Sequence, residues 1–290
     1  MKVAIMTDSN SGITQKEAKE LGIFVLPMPF TIDGQEYEED INLTQDEFYE
    51  KLMNDADIFT SQPAAGEVTK LFNKILKEYD EIVHIPMSSG LSGSCQTALM
   101  LAEDDDYKGK VYVVDSQRIS VTQKWDVLDA LELSKQGKSA KEIYDILMEN
   151  KMNATIYITV NTLDYLKKGG RITPAAAALG GLLKIKPILT IQGEKLDSFQ
   201  KTRTMAKASK IMLESAIKDI KERIDPDHED MSGARIMIAY TYDRDQALEF
   251  KAMVQEAFPN HEIICDPLSL SVSCHIGPHS LAIAACKKII

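Results

Sequence analysis

The stretch His84-Ile85-Pro86-Met87-Ser88-Ser89-Gly90-Leu91-Ser92-Gly93-Ser94 carries four serines and two glycines behind an apolar run. With that run as a strand and the residues after Ser94 as a helix, the backbone N–H groups at the helix start have no internal partners and favour an anion in the loop. The glycines allow close backbone approach, and the serines add neutral donors. The loop reads as an anion cradle with no fixed positive charge of its own.

Four further stretches gather small polar residues where strands should end: Thr7-Asp8-Ser9-Asn10-Ser11-Gly12, Thr60-Ser61-Gln62-Pro63, Asp115-Ser116 and His275-Ile276-Gly277-Pro278. In an open α/β sheet the ligand crevice lies outside the carboxyl ends of the strands, so several of these loops converge by topology. Taken singly, Asp8, Ser9, Thr60 and Ser92 read first as helix caps. Taken together, most of the loops hold more such residues than the capping of one helix uses.

Catalytic templates fail in turn. The chain has no Gly-x-Gly-x-x-Gly, no Gly-x-x-x-x-Gly-Lys-Ser/Thr and no His-Glu-x-x-His. Gly90-Leu91-Ser92-Gly93-Ser94 falls short of a nucleophile elbow because Ser94 stands where that motif requires glycine. Cys274 precedes His275, but sequence neighbours in extended chain point apart, which makes Cys274 a buried structural thiol. The acidic run Glu103-Asp104-Asp105-Asp106 reads as a solvated face rather than a metal site. No catalytic residue and no metal ligand is assigned. Arg171 follows two glycines and either reaches an anion in the crevice or joins a surface or interdomain ion pair. His275 can donate in either charge state, although a lone histidine is more often a satisfied core residue.

The elements that position these residues follow from periodicity. Apolar runs at 3–6, 24–30, 81–85, 111–114 and 155–159 read as strands, and most are separated by helical patterns, which argues for a mainly parallel sheet covered on both faces. Thr44-Gln45-Asp46-Glu47 and Ser139-Ala140-Lys141-Glu142 have capping-box spacing, and Pro63 suits the first position of a helix reaching about Tyr79. Near residue 160 the texture changes. Leu166-Lys167-Lys168-Gly169-Gly170-Arg171-Ile172 is a basic, glycine-rich crossing. A helix at 174–179, a strand at 185–191, a helix at 204–224, a strand at 235–240, a helix at 243–257 and a strand at 262–265 follow. The expected division is an N-terminal domain over 1–160 and a C-terminal domain over 161–290.

At 290 residues, 44% of them hydrophobic, the chain is long enough for two ordinary domains with full cores. Its 33 basic and 44 acidic residues give a net charge of −11, which repels a nucleic-acid backbone. Cys95, Cys265, Cys274 and Cys286 are scattered without a Cys-x-x-Cys pair, which fits a reducing cytoplasm. The opening Met1-Lys2-Val3-Ala4-Ile5-Met6-Thr7-Asp8 is too short an apolar run for a signal peptide. Residues 172–191, the most lipid-like segment, are interrupted by Pro174, Lys184, Lys186 and Pro187, which excludes a spanning helix there.

Thr7-Asp8-Ser9, Thr60-Ser61-Gln62-Pro63, Ser88-Ser89-Gly90-Leu91-Ser92-Gly93, Asp115-Ser116, Lys168-Gly169-Gly170-Arg171-Ile172, Lys186-Pro187-Ile188 and His275-Ile276-Gly277-Pro278, in this order, resemble the DegV family over essentially the whole chain. The resemblance implies a two-domain α/β fold, with an N-terminal three-layer α/β/α domain around a mainly parallel sheet and a C-terminal α/β domain with a mixed sheet. It implies a bacterial fatty-acid-binding protein of the cytoplasm, with the fatty acid as ligand and no cofactor. Some members carry the acyl group in a two-component fatty acid kinase, whose separate ATP-binding subunit turns the carboxylate into an acyl phosphate.

By the same resemblance Thr60 and Ser92 hold the carboxylate through their hydroxyls. Ser61, Gly93, Arg171, His275 and Gly277 lie around the head group, the acyl chain fills an apolar tunnel between the domains, and Arg203 faces the kinase or phosphoryl group. Membrane contact, where it occurs, is transient and without insertion. Two departures from the family pattern bear on the tunnel: Ser120-Val121-Thr122-Gln123-Lys124-Trp125 replaces a small-residue helix start, and His279 replaces a small residue. An alternative reading, an enzyme acting on a small polar hydroxy-ketone, follows from the similarity of the DegV fold to the substrate-binding half of dihydroxyacetone kinase. A closed apolar tunnel favours the carrier, and a small wet pocket favours the enzyme. A structural or regulatory interaction module accounts for the acidic surface but not for the loops rich in hydroxyls.

Overall fold

The computed structural model describes residues 2–39, 41–54, 56–178, 185–193 and 195–290. The first sheet has four parallel strands in the order β2 (Phe24–Leu26), β1 (Val3–Asp8), β6 (Glu81–Ile85) and β7 (Val111–Val113). Alternate side chains of a strand go to opposite faces. Ile5, Val83 and Ile85 accordingly pack against Val127, Ile143 and Leu147 on one side, while Ala4, Met6 and Ile82 pack against Phe72, Cys95 and Ala98 on the other. Helices therefore cover both faces, in the three-layer arrangement that the alternation of strand and helix predicts. Capping boxes at Thr44 with Glu47 and at Ser139 with Glu142 start the helices Gln45–Met53 and Ala140–Asn150.

The run at 24–30 is not one strand. Pro27 and Pro29 lack the N–H that a ladder needs, so β2 ends at Leu26 and the chain passes into a small antiparallel sheet. That sheet has the order β4 (Gln35–Tyr37), β3 (Phe30–Ile32) and β5 (Ile58–Thr60). Thr60 is the last residue of β5, opposite Phe30. Strands of three residues are too short to show an alternation in sequence. The helix expected from Pro63 starts later, as Ala65–Ile75 with Ala64 at its N-cap, because Pro63 still belongs to the loop that follows Thr60.

The second sheet is mixed. Its order is β10 (Asp197–Thr202), β9 (Lys186–Ile191), β8 (Ala154–Thr159), β13 (Leu281–Lys287), β11 (Ala234–Tyr240) and β12 (Ile263–Pro267). Only the β11–β12 pair is parallel. Since β8 lies here, the chain changes sheets at 151–153, ahead of residue 160. One face is covered by the helices Met205–Asp219 and Arg244–Ala257, through Met212, Ala216, Phe250 and Val254. The other face, with Ile158, Leu189, Met237 and Ala284, turns toward Met28, Met87, Leu91 and Val121 of the first domain. The helix expected over 204–224 ends as a π-turn at Ile220–Ile224.

Residues 166–172 are less of a crossing than their glycines suggest. A short helix, Asp164–Gly169, is closed by Gly170 in the left-handed region at φ 69°. Of the helix expected at 174–179, Pro174–Ala177 is helical, whereas Leu179 lies outside the described residues, as does Lys184. No helix among the described residues is long and apolar enough to cross a membrane.

Candidate functional site

The inward face of the second sheet and the loops of the first domain enclose a cavity of about 250 Å³. Its interior is apolar: Ile156, Ile158 and Ile191 from the sheet, with Ala239, Ala282 and Ala284 making the room. Met28, Leu91, Val121 and Leu268 close it from the other side. Polar lining comes from Thr60, Ser61, Gln62, Ser92, Gly93, Arg171 and His275, with Asn10, Ser120 and Ser271 as buried polar residues among the apolar ones. Ser61, Gln62 and Gly93 are exposed, so this polar end is the mouth.

The serine loop is held from three directions. Asp8 Oδ2 accepts from the Met87 N–H at 2.8 Å, the Arg118 carbonyl accepts from the Ser88 N–H at 2.8 Å, and Asp115 Oδ2 accepts from the Ser89 hydroxyl at 2.6 Å. Ser88 Oγ reaches across to the Gly193 carbonyl at 3.0 Å, which ties the loop to the second domain. Ser92 Oγ accepts the Ser94 N–H at 3.2 Å, leaving its own proton to donate. Gln62 lies over Gly93, where a Cβ would come within 2.9 Å of the Gln62 Oε1. The Thr60 and Ser92 loops therefore meet.

The Thr60 hydroxyl is 2.8 Å from His275 Nε2. His275 lies on the helix Leu270–Ile276 and packs its ring against Gly169, where a Cβ would stand 2.0 Å from Nδ1. Only glycine fits at that position. Arg171 donates from Nε to the Leu91 carbonyl at 3.2 Å and from Nη1 to the Gly169 carbonyl at 2.5 Å. Its guanidinium thus braces the loops on both sides of the mouth. Cys274, the neighbour of His275, is buried among Phe30, Phe48 and Leu270. Burial pushes its thiol well above the usual range, which makes it the structural thiol that the sequence predicts.

Burial, assisted by the Arg171 charge, lowers the His275 imidazole to about 4. The unfolded imidazole titrates near 6.5, so it takes up a proton that the folded one refuses, and the His275 contribution to stability is lost as pH falls from about 6.5 to about 4. An NMR titration of the free protein is expected to show the His275 ring neutral at pH 5, and a midpoint above 6 would contradict this environment.

Further back, the buried carboxyl of Asp8 is pushed up to about 6 by its burial. Gln123 donates to Thr7 Oγ1, Asp8 Oδ1 and the Ile85 carbonyl, each at 3.1 Å, and so ties together the ends of β1 and β6. Within the departure at 120–125, Ser120 and Val121 line the cavity. Trp125 instead stacks 4.0 Å from the Arg235 guanidinium. His279 sits off the cavity against Tyr242, with ring centroids 4.9 Å apart.

Six of the candidate residues therefore share one cavity: Thr60, Ser61, Ser92, Gly93, Arg171 and His275. Gly277 does not line it. Its φ of 76° and the Tyr165 ring, 2.3 Å from where a Cβ would be, make it a turn residue behind His275. Arg203 is exposed between β10 and the helix Met205–Asp219 and does not reach the cavity lining. Asn10 and Ser271 had no assigned role in the sequence, yet both line the cavity. The Ser271 hydroxyl donates to Asn10 Oδ1, and Asn10 Nδ2 donates to Met87 Sδ at 2.7 Å. Asn10 belongs to a loop already marked by its polar residues; Ser271 sits in Leu270-Ser271-Val272-Ser273, whose alternation hides a helix.

A parallel-sheet domain and a mixed-sheet domain closing on an apolar cavity with a hydroxyl-lined mouth define a two-domain α/β protein with an amphipathic internal site. The chain belongs to the DegV family, as the ordered loop motifs indicate: the family model described as "Uncharacterised protein, DegV family" matches residues 2–288. A DegV domain-containing protein of Staphylococcus aureus is 32% identical over 287 residues, covering 99% of each chain. Among solved structures, a DegV family protein from Thermus thermophilus, reported for its fatty acid binding, superposes with a TM-score of 0.88 at 28% identity, covering 99% of this chain and 100% of that one. DegV of Bacillus subtilis, reported as a fatty acid binding protein, gives 0.85 at 28% identity with the same coverage.

Proposed function

We propose that the protein binds a long-chain fatty acid and presents its carboxylate to a separate ATP-binding kinase subunit, which converts it to an acyl phosphate. The observation that carries this reading is the division of the cavity into a buried apolar interior and a hydroxyl-rich mouth that opens at the surface. Thr60 and Ser92 donate to the carboxylate there, and His275 and Arg171 flank it. Burial is worth about 0.8 kcal/mol per methylene, so a chain of about 16 carbons gains on the order of 10 kcal/mol before ordering costs. The tail supplies affinity and the mouth supplies register. The fatty acid binding of the two structural relatives supports the ligand class. Arg203, exposed and away from the lining, is available to the kinase subunit. An apolar interior does not suit a small hydroxy-ketone substrate, so the carrier reading is the one favoured, acting in the cytoplasm.

Extraction of the purified protein with organic solvent, followed by mass spectrometry, tests the ligand. Stoichiometric acyl chains are expected; their absence, together with failure to take up palmitate or oleate, sinks the proposal. Replacing both Thr60 and Ser92 with Ala removes two hydrogen bonds to a charged group, each worth about 1.5–3 kcal/mol at most. The double variant is expected to fold normally and to lose fatty acid affinity by about 100-fold or more. Unchanged acyl phosphorylation by the cognate kinase would show that neither hydroxyl holds the head group.

A further inference from the structure

The strands of the second sheet set the depth of the acyl cavity. Gly169 and Arg171 follow the Thr159 end of β8, His275 precedes the Leu281 end of β13, and Thr159 and Leu281 are cross-strand partners. The mouth therefore lies at that end. Three residues back along β8, about 10 Å deeper, Ile156 pairs with Ala284 on one side and Ile191 on the other. All three line the cavity. The segment 117–122 packs on this inner row, because Gln117, Arg118 and Thr122 share a small pocket with Ile156 and Ile191 that no mouth residue lines. Ser120, in the same segment, lines the acyl cavity instead.

Three polar side chains are buried in the otherwise apolar interior: Asn10, Ser120 and Ser271. Ser271 donates to Asn10 Oδ1, so those two satisfy each other. The Ser120 hydroxyl has no hydrogen-bond partner among the described residues. The residue is 5% exposed and its Oγ is not fully enclosed, so the space that it meets is the cavity. A buried hydroxyl ordinarily has a partner. Ser120 is also held at φ 55°, in the left-handed region that is costly for a residue with a side chain. It opens the helix Ser120–Lys135, whose N-cap, Ile119, offers no side-chain acceptor to the first-turn N–H groups. Ile119 and Val121 line the cavity as well, so this uncapped helix start faces the same space as the hydroxyl.

A hydrocarbon laid over this group leaves it unpaired, whereas a chain with an oxygen at this depth pairs it. A second carboxylate is a poor match, because no cation lines this end among the described residues and a buried charge without a counter-charge is costly. We propose that the preferred ligand is a hydroxy fatty acid, with a hydroxyl remote from its carboxylate held by Ser120 and the helix start. This rests on the fatty acid reading and narrows it. The test measures the affinities of delipidated protein for stearate, mid-chain hydroxystearate, ω-hydroxystearate and octadecanedioate. At least one hydroxystearate is expected to bind about tenfold more tightly than stearate. In Ser120→Ala the ratio of the two affinities is expected to fall to about one. Ser120→Gly, which also relieves the left-handed backbone, should lose the same preference without a lower melting temperature. If stearate itself does not bind, the fatty acid reading fails. If stearate binds and neither hydroxystearate binds more tightly, if the preference survives both Ser120 variants, or if octadecanedioate binds best, this inference alone is overturned.

Discussion

Asp126→Ala is expected to lower the free energy of unfolding by about 3–5 kcal/mol at pH 7. Asp126 and Arg118 have side-chain exposures of 1% and 2% and meet at 2.6 Å. Removing the carboxylate leaves a buried guanidinium without its counter-charge. The cost of burial already shows in the carboxyl itself, which is pushed up to about 6 despite the Arg118 charge beside it. The penalty should therefore grow at pH 5, because the folded wild type takes up a proton on Asp126 that its unfolded chain, with the carboxyl near 3.8, does not, and the variant lacks this gain. The damage also reaches the site, because the Arg118 carbonyl accepts from the Ser88 N–H at 2.8 Å. Urea unfolding monitored by circular dichroism at the two pH values measures this, and a loss below about 1 kcal/mol at pH 7 would remove Arg118–Asp126 as an anchor of the serine loop.

Ala282→Phe is expected to abolish most acyl retention while leaving the fold in place. Ala282 on β13 lies between Ile158 on β8 and Ala239 on β11, and all three line the cavity. Ala239, Ala282 and Ala284, on a sheet face that also carries isoleucine, leucine and methionine, are what leave the space open. A phenyl ring there displaces about four methylenes of ligand, about 3 kcal/mol, or about 100-fold in affinity. The ring fills a void rather than crowding a packed core, so the melting temperature of the lipid-free protein should hold or rise. Mass spectrometry of extracted lipid together with a thermal melt distinguishes this outcome from misfolding, since a destabilised variant loses lipid and melting temperature together. Full lipid content in Ala282→Phe would place the acyl chain elsewhere.

How far the chain could be read in advance follows from what each residue competes with. The strand and helix alternation was legible because β1, β6 and β7 are apolar, parallel and buried on both faces, and the capping boxes at Thr44 and Ser139 are local signals complete within four residues. The strand β13 was not legible, since Leu281-Ala282-Ile283-Ala284-Ala285 is apolar on both faces and suits a helix equally well. The small sheet that places Thr60 was hidden by its three-residue strands and by Pro27 and Pro29. For the site, the polar loops marked Thr60, Ser92 and Asn10, but no spacing could show that Gly169 is the floor under the His275 ring or that Arg171 braces Leu91. Those depend on contacts between residues about 80 to 105 positions apart. Gly277 was legible as a glycine needed near the site; its part in shaping the turn behind His275, rather than in lining the cavity, is a matter of a few ångströms.

The two tethers of Arg171 have a chemical consequence for any anion at the mouth. A guanidinium grips a carboxylate with both oxygens either end-on, through its two Nη atoms, or side-on, through Nε and one Nη. Nη1 gives one of its two N–H groups to Gly169 and Nε gives its only one to Leu91, so the side-on fork is closed and Arg171 has fewer donors free. A carboxylate beside Arg171 is denied the side-on grip through Nε and meets the guanidinium through its Nη groups alone. Such a group is oriented with fewer donors on it, and its outer oxygen retains more of the nucleophilicity that a fully chelated carboxylate gives up.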